Sequence, residues 1–182
     1  AIVVTINPTP VAPITNNLSF CQNVTPSVMT ATALPGHTLR WYGTNATGGT
    51  FTLVPPVIST STVGTTTYYV SQINSFGCES VRASIIVVIG GLPAAPIVNP
   101  ITYCQGATAL PLTAAALTNH TLNWYGTNAT GGVASSTAPT PLTATFGTTN
   151  YYVSQVSSIG CESPRAQIVV NINSTPSLPL VA

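Results

Sequence analysis

The sequence predicts an all-β fold arranged as two tandem antiparallel β-sandwiches of about seven short strands each. The first observation is a repeat: Trp41–Gly49 (WYGTNATGG) returns letter for letter as Trp124–Gly132, 83 residues later. The second is a series of short runs of β-branched and aromatic residues, separated by Gly, Pro and Asn turn signals. The third is that no segment shows the spacing of an amphipathic helix.

The 83-residue shift extends through the chain without a gap and predicts the domain boundaries. It places one repeat at residues 11–90 and a second at residues 91–173. Residues 1–10 are predicted to be the last strand of a preceding repeat plus a linker, because Ala1–Ile6 (AIVVTI) aligns with Ser84–Ile89 (SIIVVI). We expect that strand to pair with a neighbouring sheet. Residues 174–182 align with the start of a further repeat.

The strands of the first repeat follow from the pattern between turn signals, and the second repeat copies them. Pro35 and Gly36 separate two predicted strands, and the pair Gly48 and Gly49 provides a tight return, because glycine tolerates positive φ. Pro55 and Pro56 lack backbone donors and favour an edge position. The predicted strands are 14–20, 27–34, 38–42, 51–54, 57–63, 66–73 and 81–89.

Alternation within the strands predicts the core. In Thr38–Tyr42 (TLRWY) the period of two puts Leu39 and Trp41 on one face and Arg40 and Tyr42 on the other. We therefore expect the core to be anchored by an aromatic pair in each repeat, which is Trp41 with Tyr68 in the first and Trp124 with Tyr151 in the second.

Composition limits the function. The chain has 182 residues, of which 45% are hydrophobic and 3% charged, and it contains neither Lys nor Asp. This profile is too hydrophobic for disorder, and no apolar run approaches the roughly 20 residues of a membrane span. A net charge of +1 provides little electrostatic attraction for the phosphates of a nucleic acid. We therefore expect neither a nucleic-acid partner nor direct membrane insertion.

Two cysteines occur at the same places in each repeat, and we interpret them as a disulfide framework of an extracellular protein. The members of each pair lie 57 residues apart and lack the spacing of a metal site. The predicted bonds are Cys21–Cys78 and Cys104–Cys161, each joining the end of the first strand to the start of the last. In the chain-entropy model such a bond contributes about 4 kcal/mol to stability. Four buried free thiols are the alternative.

Seven short strands with one Trp, a Tyr pair and two Cys per repeat are typical of an immunoglobulin-like (Ig-like) sandwich. The motifs also resemble the Ig-like repeats of large secreted surface proteins of Bacteroidetes, which include gliding-motility adhesins and other cargo of type IX secretion. They are YCQG at 103–106, LNWYG at 122–126, TGG at 130–132, YYV at 151–153 and GCES at 160–163. The resemblance implies an extracellular stalk or filament module at the cell surface, with no catalytic residues. Asn23 departs from it, because Gly occupies the equivalent position 106.

The residues argue against an enzyme, a metal site or a cofactor. A Ser/His/Asp triad needs an Asp, and a paired-carboxylate site needs two acids where each repeat has one Glu. Calcium sites between adhesin domains need several acidic oxygens. Glu79 with Arg82, and Glu162 with Arg165, are interpreted as local ion pairs or as hydrogen bonds to a turn.

The leading functional prediction is a non-catalytic stalk or filament module whose partners are neighbouring repeats of the same chain and other copies. The alternative is a carbohydrate-binding or spacer module of a secreted multidomain protein, with surface polysaccharide as partner. In that case aromatic rings would stack on sugars. The four candidates are Tyr42, Tyr69, Tyr125 and Tyr152. The two histidines, His37 and His120, follow turns and are interpreted as surface or capping residues.

Overall fold

The computed structural model divides the chain into two compact units, Ala1–Gly91 and Leu92–Ala182. The structure describes residues 2–176. Within the predicted start of a following repeat at 174–182, residues 177–182 therefore lie outside the described residues. The described part contains strands and turns and no helix.

The described residues of the first unit form six strands. A four-stranded sheet has the order β2-β6-β5-β4, and β1 and β3 form a separate two-stranded sheet. The strand bounds are β1 Ile14–Thr15, β2 Leu18–Cys21, β3 Ala31–Thr32, β4 Thr38–Trp41, β5 Gly64–Ile73 and β6 Ala83–Gly90. The predicted first strand is thus divided, with β1 in one sheet and β2 in the other.

Up to residue 176, the second unit repeats the plan with four strands in the order β7-β10-β9-β8. A single bridge between Ile97 and Ala115 stands where the first unit has β1 and β3. The strand bounds are β7 Ile101–Cys104, β8 Thr121–Trp124, β9 Gly147–Val156 and β10 Ala166–Asn173.

One strand in each four-stranded sheet runs parallel to its neighbour. Cys21 at the end of β2 is aligned with Gly90 at the end of β6, and Cys104 at the end of β7 with Asn173 at the end of β10. All other strand pairs are antiparallel, as predicted. This parallel pairing decides where the cysteines lie.

Alternation along the strands builds one core in each unit. In β6 the side chains of Ile85, Val87 and Ile89 are buried against Trp41 and Val70. In the second unit the equivalent core residues are Trp124, Val153, Ile168, Val170 and Ile172.

Two predicted strands of the first repeat are not formed as strands. Thr52, in the predicted strand 51–54, makes only a bridge to Trp41. Residues 57–63 are not a strand, although Ile58 and Thr60 are buried. The Thr60 carbonyl accepts a hydrogen bond from the Asn23 amide, and the Thr60 hydroxyl donates to the Val24 carbonyl. The segment is therefore fixed by a turn instead of by a neighbouring strand.

The predicted strand at Ala1–Ile6 is not formed in the described residues 2–6. Ile2 and Ile6 are 94% and 90% exposed. The equivalent strand β6 pairs with β5 on one side and, through Val87–Gly90, with β2 on the other, whereas residues 2–6 have no strand beside them.

Candidate functional site

All five charged side chains of the protein fall into two clusters at equivalent places in the two repeats. The Glu79 cluster comprises Arg40, Tyr42, Ser71, Glu79 and Arg82, and the Glu162 cluster comprises Asn123, Tyr125, Ser154, Glu162 and Arg165. These clusters are the candidate functional site, because ionisable groups with shifted pKa values concentrate at functional sites and the pKa values of both Glu79 and Glu162 are lowered.

Strand alternation brings the Glu79 cluster together on the sheet face opposite the core. Arg40 lies on β4 beside the buried Trp41, and Tyr42 follows directly. Ser71 lies on β5 opposite Arg40. Glu79 reaches the same place because it bridges to Ile73 at the end of β5.

The carboxylate of Glu79 accepts three hydrogen bonds. Its Oε2 atom is 2.8 Å from Arg40 Nη1, and its Oε1 accepts from the Ser71 hydroxyl at 2.5 Å and from the Tyr42 hydroxyl. Partial burial by itself would raise the pKa of Glu79. The hydrogen bonds from Ser71, Tyr42 and Arg40, together with the positive charge of Arg40, outweigh burial and lower the pKa below its ordinary value.

Arg82 lies over the ring of Tyr42, whose hydroxyl donates to Glu79. Its guanidinium carbon lies 3.3 Å from the centroid of the Tyr42 ring, which is cation–π geometry. The same guanidinium donates to the carbonyl oxygens of Asn45 and Gly48, at 2.6 and 2.7 Å. Arg82 therefore fastens the Gly43–Gly49 loop to the sheet, and the planar fork of Arg suits both contacts.

The Glu162 cluster repeats this arrangement with one substitution. Tyr125 and Ser154 donate to Glu162, and Arg165 lies 3.3 Å from the Tyr125 ring centroid. Asn123 occupies the position in the second repeat that is equivalent to Arg40 in the first. Partial burial alone would raise the pKa of Glu162, but hydrogen bonds from Ser154, Tyr125 and Asn123, and the charge of Arg165, lower it.

Arg165 also holds its loop as Arg82 does. It donates to the carbonyl oxygens of Asn128 and Gly131, at 2.7 and 2.8 Å. The interpretation of Glu79 and Arg82 as a local ion pair is wrong, since Glu79 pairs with Arg40 instead. The hydrogen bond to a turn is confirmed for Arg82 and Arg165.

The clusters offer little for catalysis. Each holds a single carboxylate whose lowered pKa keeps it ionised, so it is poorly suited to act as a proton donor near neutral pH. Within residues 2–176 no group of three His, Cys, Asp or Glu side chains could hold a metal ion. The hydrogen bonds of both clusters are directed inward, to the protein itself.

A buried glutamine in each repeat was missed by the sequence reasoning. Gln72 and Gln155 are both 0% exposed. The Gln72 side chain accepts from the Leu34 amide at 2.7 Å and donates to the Val11 carbonyl at 2.8 Å. Gln155 makes the equivalent bonds to Leu117 and Ala94. The signal was present, because both glutamines end the repeated motif YYVSQ.

The predicted core aromatics lie on the inner face. Trp41 is 2% exposed, Trp124 4% and Tyr151 9%, and all three belong to the cores described above. Tyr68 is half-buried and packs against the first core.

The four tyrosines considered for sugar stacking do not form an exposed surface. Tyr42 and Tyr125 are 6% and 7% exposed, and each ring has a guanidinium over one face. Tyr69 and Tyr152 are half-buried. A stacking platform needs open ring faces, so Tyr42 and Tyr125 are unsuited to that role.

The predicted disulfides within repeats are wrong. Cys78 and Cys104 are free thiols, whereas Cys21 and Cys161 are disulfide-bonded. The parallel pairing of β2 with β6 is the physical reason. It places Cys21 beside the end of β6, whereas Cys78 precedes its start, and an eight-residue strand is about 23 Å long. A disulfide needs Cα atoms within about 7 Å.

Each histidine caps a turn of its own repeat. His37 Nδ1 is 3.0 Å from the Pro35 carbonyl oxygen, and His120 Nδ1 is 2.8 Å from the Thr118 carbonyl oxygen.

In the described part of the chain, no helix is long and apolar enough to cross a membrane.

Solved structures similar to this chain include several tandem β-domains. One contains the fibronectin(III)-like modules of Clostridium thermocellum CbhA, with 17% identity over 91% of this chain and 92% of that chain and a TM-score of 0.43. The titin domains z1z2 in complex with telethonin have 13% identity over 94% and 100%, with a TM-score of 0.32.

A third is Bacteroides ovatus SGBP-B in complex with a mixed-linkage heptasaccharide, with 15% identity and a TM-score of 0.26. The match covers 87% of this chain and only 43% of that chain. No curated protein sequence matches the chain.

The family model described as "Ig-like domain CHU_C associated" matches twice, at residues 10–90 and 93–174. These matches follow the two compact units and cover most of the sequence. The chain therefore belongs to this family of Ig-like domains and contains two of them in tandem.

Proposed function

We propose that the chain is a non-catalytic structural module of an extracellular cell-surface protein, in which such repeats extend a stalk or filament of an adhesin. A structural or spacer role fits tandem Ig-like domains in general. The description "CHU_C associated" and the motif resemblance favour a secreted surface protein of Bacteroidetes, exported by type IX secretion and used in adhesion or gliding.

The polar groups of the repeated motifs form hydrogen bonds to other groups of the same repeat, and this observation carries the proposal. Arg82 of the first repeat binds the carbonyls of its own loop, Glu79 is bound by three side chains of its own sheet, and Gln72 bridges two backbone segments of its own unit. The second repeat does the same with Arg165, Glu162 and Gln155. Motifs that stabilise their own domain are expected of a spacer.

Low charge supports the same role. With three Arg and two Glu in 182 residues, all within the two clusters, little like-charge repulsion opposes close packing of neighbouring modules. The partners in this proposal are further repeats of the same polypeptide and other copies of it.

A spacer role is tested by replacing both repeats with unrelated domains and measuring whether the parent protein still works. In the cell that makes the parent protein, both repeats are exchanged for an unrelated pair of Ig-like domains of similar length. We expect surface display and attachment to be retained. A matched variant that deletes both repeats tests whether length matters, and we expect it to weaken attachment. Loss of attachment after the exchange, with surface display intact, would contradict the proposal.

The carbohydrate-binding alternative is tested separately. Affinity electrophoresis in gels containing soluble polysaccharides would show retardation of the chain if it bound them. Tyr69→Ala and Tyr152→Ala would abolish that retardation if these half-buried rings contributed. We expect no retardation, because the rings of Tyr42 and Tyr125 are already covered by Arg82 and Arg165.

A further inference from the structure

The first repeat carries a continuous apolar patch on its surface, which comprises Val28, Leu53, Val54, Pro55 and Val57 and is called the Pro55 patch below. Pro55 lines three adjoining surface cavities, and each other member lines at least one of them. Val57 is 92% exposed, Val28 72%, Val54 71% and Leu53 65%. Four large aliphatic side chains thus lie together in contact with water, which is typical of a surface that binds another molecule.

The chain segment that carries most of the patch is held in place on both sides. The backbone of Thr52 exchanges two hydrogen bonds with the backbone of Trp41, each 2.8 Å long. Thr60, beyond the patch, is bonded to the preceding turn through its carbonyl and its hydroxyl. Between these two points, the rings of Pro55 and Pro56 restrict the backbone. Because the segment is already ordered, binding at the patch loses little conformational entropy.

The second repeat shows that the fold does not need this patch. At the positions equivalent to Val28, Leu53, Val54, Pro55 and Val57, it has Pro111, Ser136, Thr137, Ala138 and Thr140. Hydroxyl side chains therefore stand where three of the four exposed aliphatic side chains lie in the first repeat. Both units nevertheless bury equivalent cores. The apolar side chains of the patch thus serve a contact outside their own domain.

The chemistry of the patch indicates what that contact is. None of its members is charged, and the exposed residues Ser27, Thr30 and Thr50 at the margins of the three cavities supply hydroxyl groups. An apolar centre with a polar rim is typical of protein interfaces. A charged partner would lose hydration here without gaining an ion pair, so the partner face must be apolar and uncharged. The same patch on a second copy meets this requirement.

The size of the patch predicts a weak contact. Four aliphatic side chains that are 65–92% exposed present about 300–400 Å² of apolar surface per copy. A standard stable interface buries roughly 800 Å² per partner, so two patches with their rims fall at the small end of the range. We therefore expect a dissociation constant on the order of 100 µM.

We propose that the Pro55 patch is an interface between two copies of this chain, in which each copy places its patch against that of the other about a two-fold axis. A contact of this kind uses the same surface on both copies and is complete after two of them. Such a contact adds to the proposed function and does not rest on it, because a spacer extends its parent protein whether or not copies touch. Dimerisation and the exchange of domains therefore fail or succeed separately.

The second repeat supplies the substitutions that test the interface. Leu53→Ser/Val57→Thr introduces at the patch the residues that stand at the equivalent positions 136 and 140. Val133→Thr/Leu142→Ser is the matched control, because it removes two side chains of the second repeat that are 90% and 86% exposed. It gives those positions the residues of the first repeat. Each variant thus uses side chains that this fold already accommodates.

Sedimentation equilibrium from about 5 to about 500 µM measures the association of each chain. Every chain carries Cys78→Ser and Cys104→Ser, so that the two free thiols cannot join copies. We expect the parent and the control to dimerise with the same dissociation constant, and the patch variant to dimerise at least about tenfold more weakly. Val54→Thr, with the residue of position 137, is a milder patch variant and should weaken the dimer by about two- to fivefold. An unchanged urea midpoint shows that a variant is folded.

Four results would overturn the proposal. A parent chain that stays monomeric throughout would leave the patch to a different protein, and a patch variant that dimerises as tightly as the parent would place the contact elsewhere. A control weakened as much as the patch variant would show unspecific apolar association. Association that continues past the dimer would show a head-to-tail contact, such as one between the patch and the exposed residues 2–6 of another copy.

Discussion

The guanidinium carbon of Arg82 lies 3.3 Å from the ring centroid of Tyr42, and the same guanidinium donates to two carbonyl oxygens of the loop that follows Tyr42. This relationship connects the WYGTNATGG motif to the start of β6. Arg165 and Tyr125 make the same contact at the same distance in the second repeat. A substitution in one repeat therefore has an equivalent position in the other repeat that can serve as its control. Trp124→Phe leaves Trp41 as the only tryptophan, so fluorescence then reports the first repeat alone.

Arg82→Lys is expected to destabilise the first repeat by about 1–3 kcal/mol, because Lys keeps the charge but lacks the planar fork that serves the ring and two carbonyls. Urea unfolding followed by Trp41 fluorescence measures the change. Arg165→Lys is the matched control, since it should leave the first repeat unaltered. A midpoint equal to that of the parent chain would show that the fork contributes nothing.

Acidification is expected to destabilise both repeats through Glu79 and Glu162. Their pKa values are lowered in the folded protein, so their stabilising contribution is complete above the unfolded pKa of about 4.3 and is lost as pH falls through the folded pKa. The melting temperature should therefore decrease as the pH is lowered below about 5.

The Glu79→Gln/Glu162→Gln variant should melt lower near neutral pH and show a flatter profile below pH 5, because the chain has no other acidic side chain. Differential scanning calorimetry at a series of pH values measures both profiles. An equally steep acid profile in the variant would contradict the assignment.

Gln72→Ala is expected to cost the first repeat about 2–3 kcal/mol, because it removes a fully buried side chain and leaves the Leu34 amide and the Val11 carbonyl without their partner. Gln22→Ala is the comparison, since its one side-chain hydrogen bond, to the Ser61 carbonyl, is exposed. That change should cost less than about 1 kcal/mol. Equal losses in chemical denaturation would argue against a bridging role for Gln72.

Asn23 has a φ of 63° where the second repeat has Gly106 with a φ of 78°. The substitution noted in the sequence thus preserves the turn, because Asn tolerates the left-handed region better than other nonglycine residues. We expect Asn23→Gly to change stability little and Asn23→Val to lower it by about 1–2 kcal/mol. Thermal melts of the two variants compare them. Equal melting temperatures would show that the turn is not strained.

Much of the fold could be predicted from the sequence because it depends on local patterns. The alternation in Thr38–Tyr42 correctly separated Trp41 from Arg40, and the glycine pair was correctly assigned to a positive-φ turn, with φ values of 62° and 75° at Gly48 and Gly49. The two Ig-like repeats followed from the 83-residue shift.

The errors concern pairing over long distances. Alternation shows which face a residue occupies but not whether its neighbour runs parallel, so the position of Cys21 beside Gly90 could not be predicted. The disulfide prediction failed for that reason. Residues 57–63 have strand-like composition, yet the strand was lost because the segment bonds to the turn at Asn23 and Val24.

The motif residues interact with one another to stabilise each repeat. A double-mutant cycle of Tyr42→Phe and Glu79→Ala, measured by urea unfolding with Trp41 as reporter, tests it most directly. We expect a coupling free energy of about 1 kcal/mol or more, because the Tyr42 hydroxyl donates to the Glu79 carboxylate. Additive losses, with a coupling free energy near zero, would contradict it.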